Sequence, residues 1–337
     1  MRKVTSSDVA ARAGVSRTTV SYVLNRTQHA NISEETRQRV LAAAAELDYT
    51  PNAAAQMLVN QRSNGVGLVY PRSHPHLSTH IFLLSAIEGL KSVFSQYGMH
   101  LLLDAVDNSS EDTYIDLLTT RRIDGLILID VPLNAFVSQR LIRNNFPVVT
   151  FGYQYPELSS IDAENWLGAK KAVEHLIGLG HRQIACITNS PHFPGDPNLR
   201  LQGYYDALQA QGVPANPDWV VEGCYTPESG YAAMNLLFEQ AVLPTAVFVG
   251  SDVVAFGAMT AAHERGLSIP GDLAFVGFDD VPLARYAVPP LTTVRMPAVE
   301  MGVRAGMLLM ERLLDGTGPT HITLHTELVV RGSSCAP

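Results

Sequence analysis

Cysteine is scarce: there are three in 337 residues, Cys186, Cys224 and Cys335, far apart and in no metal-ligand spacing. This excludes a disulfide framework and a thiolate metal cluster, and it fits a reduced, cytoplasmic setting. No run of 18 apolar residues occurs and the N-terminus has no apolar h-region, so neither membrane insertion nor secretion is expected. Walker A, Gly-x-Ser-x-Gly and His-Glu-x-x-His sequences are missing, as is a Gly-x-Gly-x-x-Gly after the first apolar strand. No enzyme is expected, and no cofactor is implied. Positive charge is in deficit, with 24 Lys and Arg against 32 Asp and Glu. Yet residues 1–30 hold Arg2, Lys3, Arg12, Arg17 and Arg26 against one acid, Asp8. That segment is +4, and because the whole chain is −8 the remainder is −12. A cationic head on an acidic body can approach phosphates while the body stays clear of them.

The head reads as short helices. Thr5 and Asp8 have the spacing of an N-cap and its third position, and Val9, Ala10 and Ala13 form a small apolar face. Gly14 ends that helix, and Ser16 can cap a second one facing inward with Val20, Val23 and Leu24. Two short helices joined through a glycine turn form a helix-turn-helix. The second shows Arg17, Thr18, Ser21, Tyr22 and Asn25 outward, side chains able to read base edges and phosphates in a major groove. Ser33 starts a third helix, with Val40, Leu41, Ala44 and Leu47 closing the core. Thr50 and Pro51 begin a helix of about eight residues, too short to persist alone in water.

Beyond Asn64 the texture changes. Apolar runs at 65–70, 100–106, 124–131 and 147–151 alternate with helix-length segments. A second series follows at 183–188, 219–225, 245–250 and 273–278, with helices expected around 199–211, 228–241 and 253–265. Such alternation predicts two open parallel sheets, each with helices on both faces.

Val4 to Asn25, Tyr49 to Ala55, Asp162-Ala163-Glu164-Asn165, His175 to His181, Gly277-Phe278-Asp279-Asp280 and Pro289 to Val294 resemble, in order and spacing, the lactose-repressor/galactose-repressor (LacI–GalR) family of bacterial transcription factors. The resemblance covers nearly the whole chain. It implies an all-α helix-turn-helix head over 1–49, a hinge helix and linker over 50–62, and a bilobed α/β body like the periplasmic sugar-binding proteins. The lobes expected are 63–161 with 292–321 and 162–291 with 322–337, with three strands crossing near Ile161, Thr292 and Ile322. The partners implied are double-stranded operator DNA, a second copy of the chain and a small effector. That effector is sugar-like, with a nucleobase or nucleoside as the alternative.

Within that reading Arg17, Thr18 and Tyr22 contact bases, while Thr5, Ser16, Thr19, Ser21 and Asn25 fix the backbone register. Tyr22 stands where many relatives carry arginine. Leu58, with Ala55 beside it, is placed to wedge between base steps in the minor groove. A ligand of an open α/β fold sits at the carboxyl ends of strands, which nominates Tyr70, Tyr153, Arg200, Tyr225, Ser251, Asp252 and Asp279. The resemblance places Arg200, Tyr225, Ser251 and Asp279 in the effector pocket, but where it implies a carboxylate after the fourth strand this chain has Gly152. The cluster His74, His76 and His80 has metal-like spacing with no acid or cysteine nearby, and no metal is expected. The helix 77–97 and Tyr286 are candidate dimer contacts. A solute-binding or sensor protein without operator function is the alternative, which the head argues against.

Overall fold

The structure, a computed structural model, describes residues 4–24, 32–50, 62–71, 80–106, 113–190 and 198–335. The hinge helix with Ala55 and Leu58, and Asn25, His74 and His76, lie outside the described residues. The chain divides into two compact units after Ser63.

In the first unit, helices α1 (Ser6–Ala13), α2 (Arg17–Leu24) and α3 (Glu34–Glu46) enclose Val9, Ala10, Ala13, Val20, Val23, Val40, Ala43 and Ala44. Gly14 takes a left-handed φ of 66° at the end of α1, which lets the chain turn at once into α2. Asp8 accepts both the Thr5 backbone N–H (2.8 Å) and its hydroxyl (2.7 Å). Arg12 of α1 pairs with Glu46 of α3 at 2.7 Å. Leu41, read above as core, is instead 43% exposed, because the inward stripe of α3 runs through 40, 43 and 44.

The second unit holds two six-stranded sheets. The N-lobe sheet is built from β1 (Gly65–Pro71), β2 (His100–Val106), β3 (Gly125–Ile129), β4 (Val148–Phe151), β5 (Ser159–Ala163) and β11 (His321–Leu324). Its order is β11-β5-β4-β3-β1-β2, parallel throughout. The C-lobe sheet contains β6 (Ile184–Ile187), β7 (Val220–Val221), β8 (Ala246–Val249), β9 (Ala274–Asp279), β10 (Thr292–Arg295) and β12 (Glu327–Val329). Its order is β12-β10-β9-β8-β6-β7, parallel except for the β10–β12 pair at one edge. Helices α4 (Ile81–Phe94), α5 (Thr113–Thr119), α6 (Ala135–Arg143) and α11 (Ala298–Asp315) belong to the N-lobe. Helices α7 (Asn165–Gly178), α8 (Leu199–Ala210), α9 (Pro227–Phe238) and α10 (Asp252–Glu264) belong to the C-lobe.

Strands β3, β4, β6 and β8 are buried along their whole length, as parallel strands covered on both faces must be. Glycines set the spacing of two helix pairs. A Cβ on Gly302 of α11 would lie 2.1 Å from the Ala86 carbonyl oxygen of α4, and one on Gly257 of α10 would lie 1.7 Å from that of Pro227 in α9. These helices therefore meet backbone to backbone.

Three expectations are corrected. The lobe boundaries move: Thr292–Arg295 pairs with β9 and belongs to the C-lobe, whereas His321–Leu324 pairs with β5 and belongs to the N-lobe. The chain thus crosses at about 163–165, 295–298 and 324–327. The run 219–225 yields only the two-residue β7, since Glu222 and Gly223 follow it, and Tyr225 sits in a turn at φ 48° rather than at a strand end. The helix expected from residue 77 begins, among the described residues, at Ile81, and the last turn, Ser95–Tyr97, is 3₁₀.

Candidate functional site

Among the described residues the head presents an exposed helix face, and the body gathers a polar group at the carboxyl ends of its C-lobe strands. On α2, Arg17, Thr18 and Tyr22 are exposed, Tyr22 by 44%, while Thr19 and Ser21 are half-buried. Ser16 accepts the Thr19 backbone N–H (3.1 Å), and its hydroxyl meets that of Thr19 at 2.9 Å. These two side chains cap the helix and leave Arg17, Thr18 and Tyr22 as its outward-reaching groups. A short capped helix presenting a guanidinium, a hydroxyl and a phenol has the dimensions of a major-groove reader.

In the body, Arg200 stands in the first turn of α8, which Asn198 caps by accepting the Leu201 N–H. Its Nε donates to Asn165 Oδ1 (2.9 Å), Nη1 to the Gly250 carbonyl and to Asp279 Oδ1 (3.3 Å), and Nη2 to the Met296 sulfur (3.0 Å). The guanidinium also lies 3.9 Å above the Phe278 ring. Arg200 thereby joins the start of α7, the end of β8, the end of β9 and the second crossing. Ser251, at the head of α10, donates to Asp279 Oδ2 (3.0 Å). Burial raises the Asp279 carboxyl above its ordinary range, opposed by Arg200 and Ser251.

Asp279 and Asp280 both take positive φ, 114° and 53°, which turns their side chains apart. Asp280 accepts from Arg331 (2.6 Å) and Arg295 (2.8 Å), away from Arg200. Asp252, nominated as a ligand contact, is fully buried. Its carboxylate accepts the Val281 N–H and the Thr293 hydroxyl, so it holds the turn after β9 from inside the lobe. Burial pushes its carboxyl well above the ordinary value, and neighbouring Asp279 adds to this.

Tyr225 accepts a hydrogen bond on its hydroxyl from Asn189 Nδ2 (2.8 Å) and stacks on His80, with centroids 5.7 Å apart and planes at 19°. His80 caps α4 by accepting the Leu83 N–H on Nδ1 (3.2 Å). This ring pair joins the N-lobe to the C-lobe, a role that the histidine spacing in sequence did not suggest. Asn189 Oδ1 is buried without a partner. Tyr70, the penultimate residue of β1, is half-buried against the main core, and Tyr153 is half-buried after β4, its carbonyl accepting from the Thr150 hydroxyl. Among the described residues neither tyrosine is hydrogen-bonded to Arg200, Ser251 or Asp279.

The structure adds residues that sequence reasoning passed over. Asp162, on β5 at the first crossing, accepts on Oδ1 from the Ala163 N–H (2.7 Å) and from Asn165 Nδ2 (2.9 Å). Burial pushes its carboxyl up to about 6; the Ala163 amide opposes this, and the charge of Asp130 adds to it. Asp162 was visible within the quoted family motif, and Asp130 follows a strand, so the strand-end rule applied to β3 would have found it. Among the described residues no group of His, Cys, Asp or Glu is placed to hold a metal ion.

Residues 5–52 match the family model of bacterial regulatory proteins of the lacI type, and residues 173–334 match a periplasmic binding protein-like domain. The HTH-type transcriptional repressor PurR of Histophilus somni is 33% identical over 98% of each chain. The repressor CytR of Escherichia coli is 34% identical over 98% of this chain and 96% of its own. Among solved structures, the lac repressor dimer bound to operator and the anti-inducer ONPF superposes with a TM-score of 0.86, 30% identity, and 99% and 100% of the two chains covered. The transcriptional regulator CelR in complex with cellobiose gives 0.73 and 33%, covering 98% of this chain and 100% of its own. Reader helix, cleft and whole-length similarity agree, and the chain belongs to the LacI family of bacterial regulatory proteins.

Proposed function

We propose that this protein is a transcriptional repressor that binds a pseudo-palindromic operator as a homodimer and is controlled by a small hydroxyl-bearing molecule, a sugar or sugar derivative, bound between the two lobes of the body. The Arg200–Asp279–Ser251 network carries the ligand reading. It stands at the carboxyl ends of β8 and β9, where open α/β sheets receive ligands, and it offers charge-assisted partners to vicinal hydroxyls. Two heads are needed because one recognition helix touches too few bases to single out a site. A nucleoside is the second ligand class, favoured by the flat surface of the His80–Tyr225 pair.

Control follows from where Arg200 is attached. Asn165 lies at the first crossing and Met296 at the second, and the Met296 N–H also donates to the Asp279 carbonyl (3.2 Å). A ligand that draws Asp279 or Arg200 toward itself therefore pulls on two of the three connections between lobes. Such a ligand shifts a two-state equilibrium by its differential affinity for the states.

The test is selection of duplexes from a random pool by the full-length protein, followed by titration of the selected operator complex with sugars and nucleosides. One compound class changes operator affinity, and the complex has the mass of two chains per duplex. Recovery of no sequence above the random pool refutes the repressor reading and leaves the solute-sensor alternative.

A further inference from the structure

The sheets bring the crossings between lobes together in pairs. Ala163 is in register with Leu324, so the first and third crossings leave the N-lobe side by side. Arg295 is in register with Glu327, so the second and third meet at the edge of the C-lobe sheet. Hydrogen bonds then close each pair. The Glu164 N–H donates to the Leu324 carbonyl (3.0 Å), the Thr326 hydroxyl to the Glu164 carbonyl (3.4 Å), and His325 Nδ1 to Glu164 Oε1 (2.8 Å). Arg295 Nη1 donates to Glu327 Oε2 (3.0 Å) and its Nε to Asp280 Oδ2 (2.8 Å). Asn165 of the first crossing and Met296 of the second share the Arg200 guanidinium.

These ties form a closed ring. Glu164 joins the first crossing to the third, Arg295 and Glu327 join the third to the second, and Arg200 joins the second to the first. Helix α7 braces the ring. A Cβ on Gly168, in its first turn, would lie 2.8 Å from Thr326 Oγ1, 2.9 Å from Val294 Cγ1 and 3.1 Å from the Phe278 ring. The helix backbone therefore bears directly on the third crossing and on the two strands beside the second. In a ring, one crossing bends only if the others bend with it or a tie breaks. Arg295 holds the most members. Besides Glu327 it grips Asp280, whose side chain is 4% exposed and which follows Asp279 of the effector group.

Resting on the effector reading above only for where the ligand acts, we propose that Arg295 and Glu327 are positioning residues that lock the three crossings into a single hinge. A pull on Arg200 then reaches the third crossing, with which Arg200 makes no hydrogen bond among the described residues. The lobes turn as two bodies about one axis, the hinge form of domain closure.

The experiment is residue-resolved amide hydrogen exchange on the full-length protein, with no ligand or DNA added. The reporters are the Glu164 N–H at the first crossing, bonded to Leu324, and the Met296 N–H at the second, bonded to Asp279. Ile127 and Val247, inside buried strands, report global stability. Arg295→Met removes two ion pairs and lowers the protection of both reporters at least about fivefold relative to the strand amides. Glu327→Gln changes a side chain that is 71% exposed, so the fold survives it, and it lowers both reporters about two- to fivefold. Should Arg295→Met fail to fold, Glu327→Gln decides alone. The proposal is overturned if Glu164 keeps its wild-type protection while Met296 loses it, if neither reporter changes, or if the strand amides lose as much as the reporters. Failure of the wild type to select operator DNA defeats the repressor reading instead and leaves this measurement standing.

Discussion

Replacing Arg200 by methionine keeps the length of the side chain and removes the guanidinium. Arg200 and Asp279 are only 13% and 9% exposed, so the change strands a carboxylate in the interior and leaves the Gly250 carbonyl and Asn165 without their donor. Removing one partner of a buried pair costs about 3–5 kcal/mol. Converting Asp279 to asparagine as well removes the stranded charge, and the double variant should recover about half of that cost. Both tryptophans, Trp166 and Trp219, lie in the second unit, so urea unfolding followed by their fluorescence reports the body alone. The sign with pH is fixed too. Without Arg200 the Asp279 carboxyl rises further above its ordinary range. A raised carboxyl contributes stability that is fully present below its unfolded pKa and is lost as pH rises through the folded one. The deficit of the single variant should therefore shrink as pH falls from 7 to 5. A single-variant cost under about 1 kcal/mol, a double variant costing the sum of its parts, or a deficit that grows on acidification would refute the reasoning.

Asp162 gives a second pH signature. Its carboxyl sits at about 6, so its ionised fraction rises roughly tenfold between pH 5 and 7, and a ligand that donates to it should gain about the same factor in affinity. Asp162→Asn should flatten that titration and, at pH 7, raise body stability by up to about 3 kcal/mol, because the cost of holding the ionised form is gone. Gly257→Ala drives a Cβ to 1.7 Å from the Pro227 carbonyl and should cost at least about 2 kcal/mol in the same unfolding assay. Gly178→Ala, where nothing lies within 4 Å, should instead gain roughly 0.5–1 kcal/mol. Tyr22→Ala should weaken the selected operator by about 1–3 kcal/mol in band-shift titrations while leaving random duplex within a factor of two or so; equal loss on both would make Tyr22 a backbone contact.

Much of the fold was legible in sequence because parallel strands buried on both faces are uninterrupted apolar runs, as at Gly125–Ile129 and Ala246–Val249; the edge strand His100–Val106, largely exposed, is also recovered to the residue. The failures have local causes. Tyr225 follows apolar Trp219 to Val221, but Glu222 and Gly223 stop the ladder after two residues. Thr292–Arg295 and His321–Leu324 are each short enough to join either sheet, and only the partner strands decide. Asp252 and Asp279 look alike in sequence, each a carboxylate at a strand end. Tertiary packing separates them: one is sealed against Thr293, the other aimed at Arg200. His80 was grouped with His74 and His76 by spacing, whereas its ring partner is 145 positions further along the chain.

The glycine seam between α4 and α11 has a mechanical consequence. Backbone surfaces in contact offer no flexible side chains to absorb a push, so α4 behaves as a stiff rod. One end is His80, resting on Tyr225 at the cleft. The helix is 14 residues long, about 21 Å at 1.5 Å per residue. A displacement imposed on the His80 ring by whatever fills the cleft is delivered with little attenuation to the far end of that rod, near Tyr97.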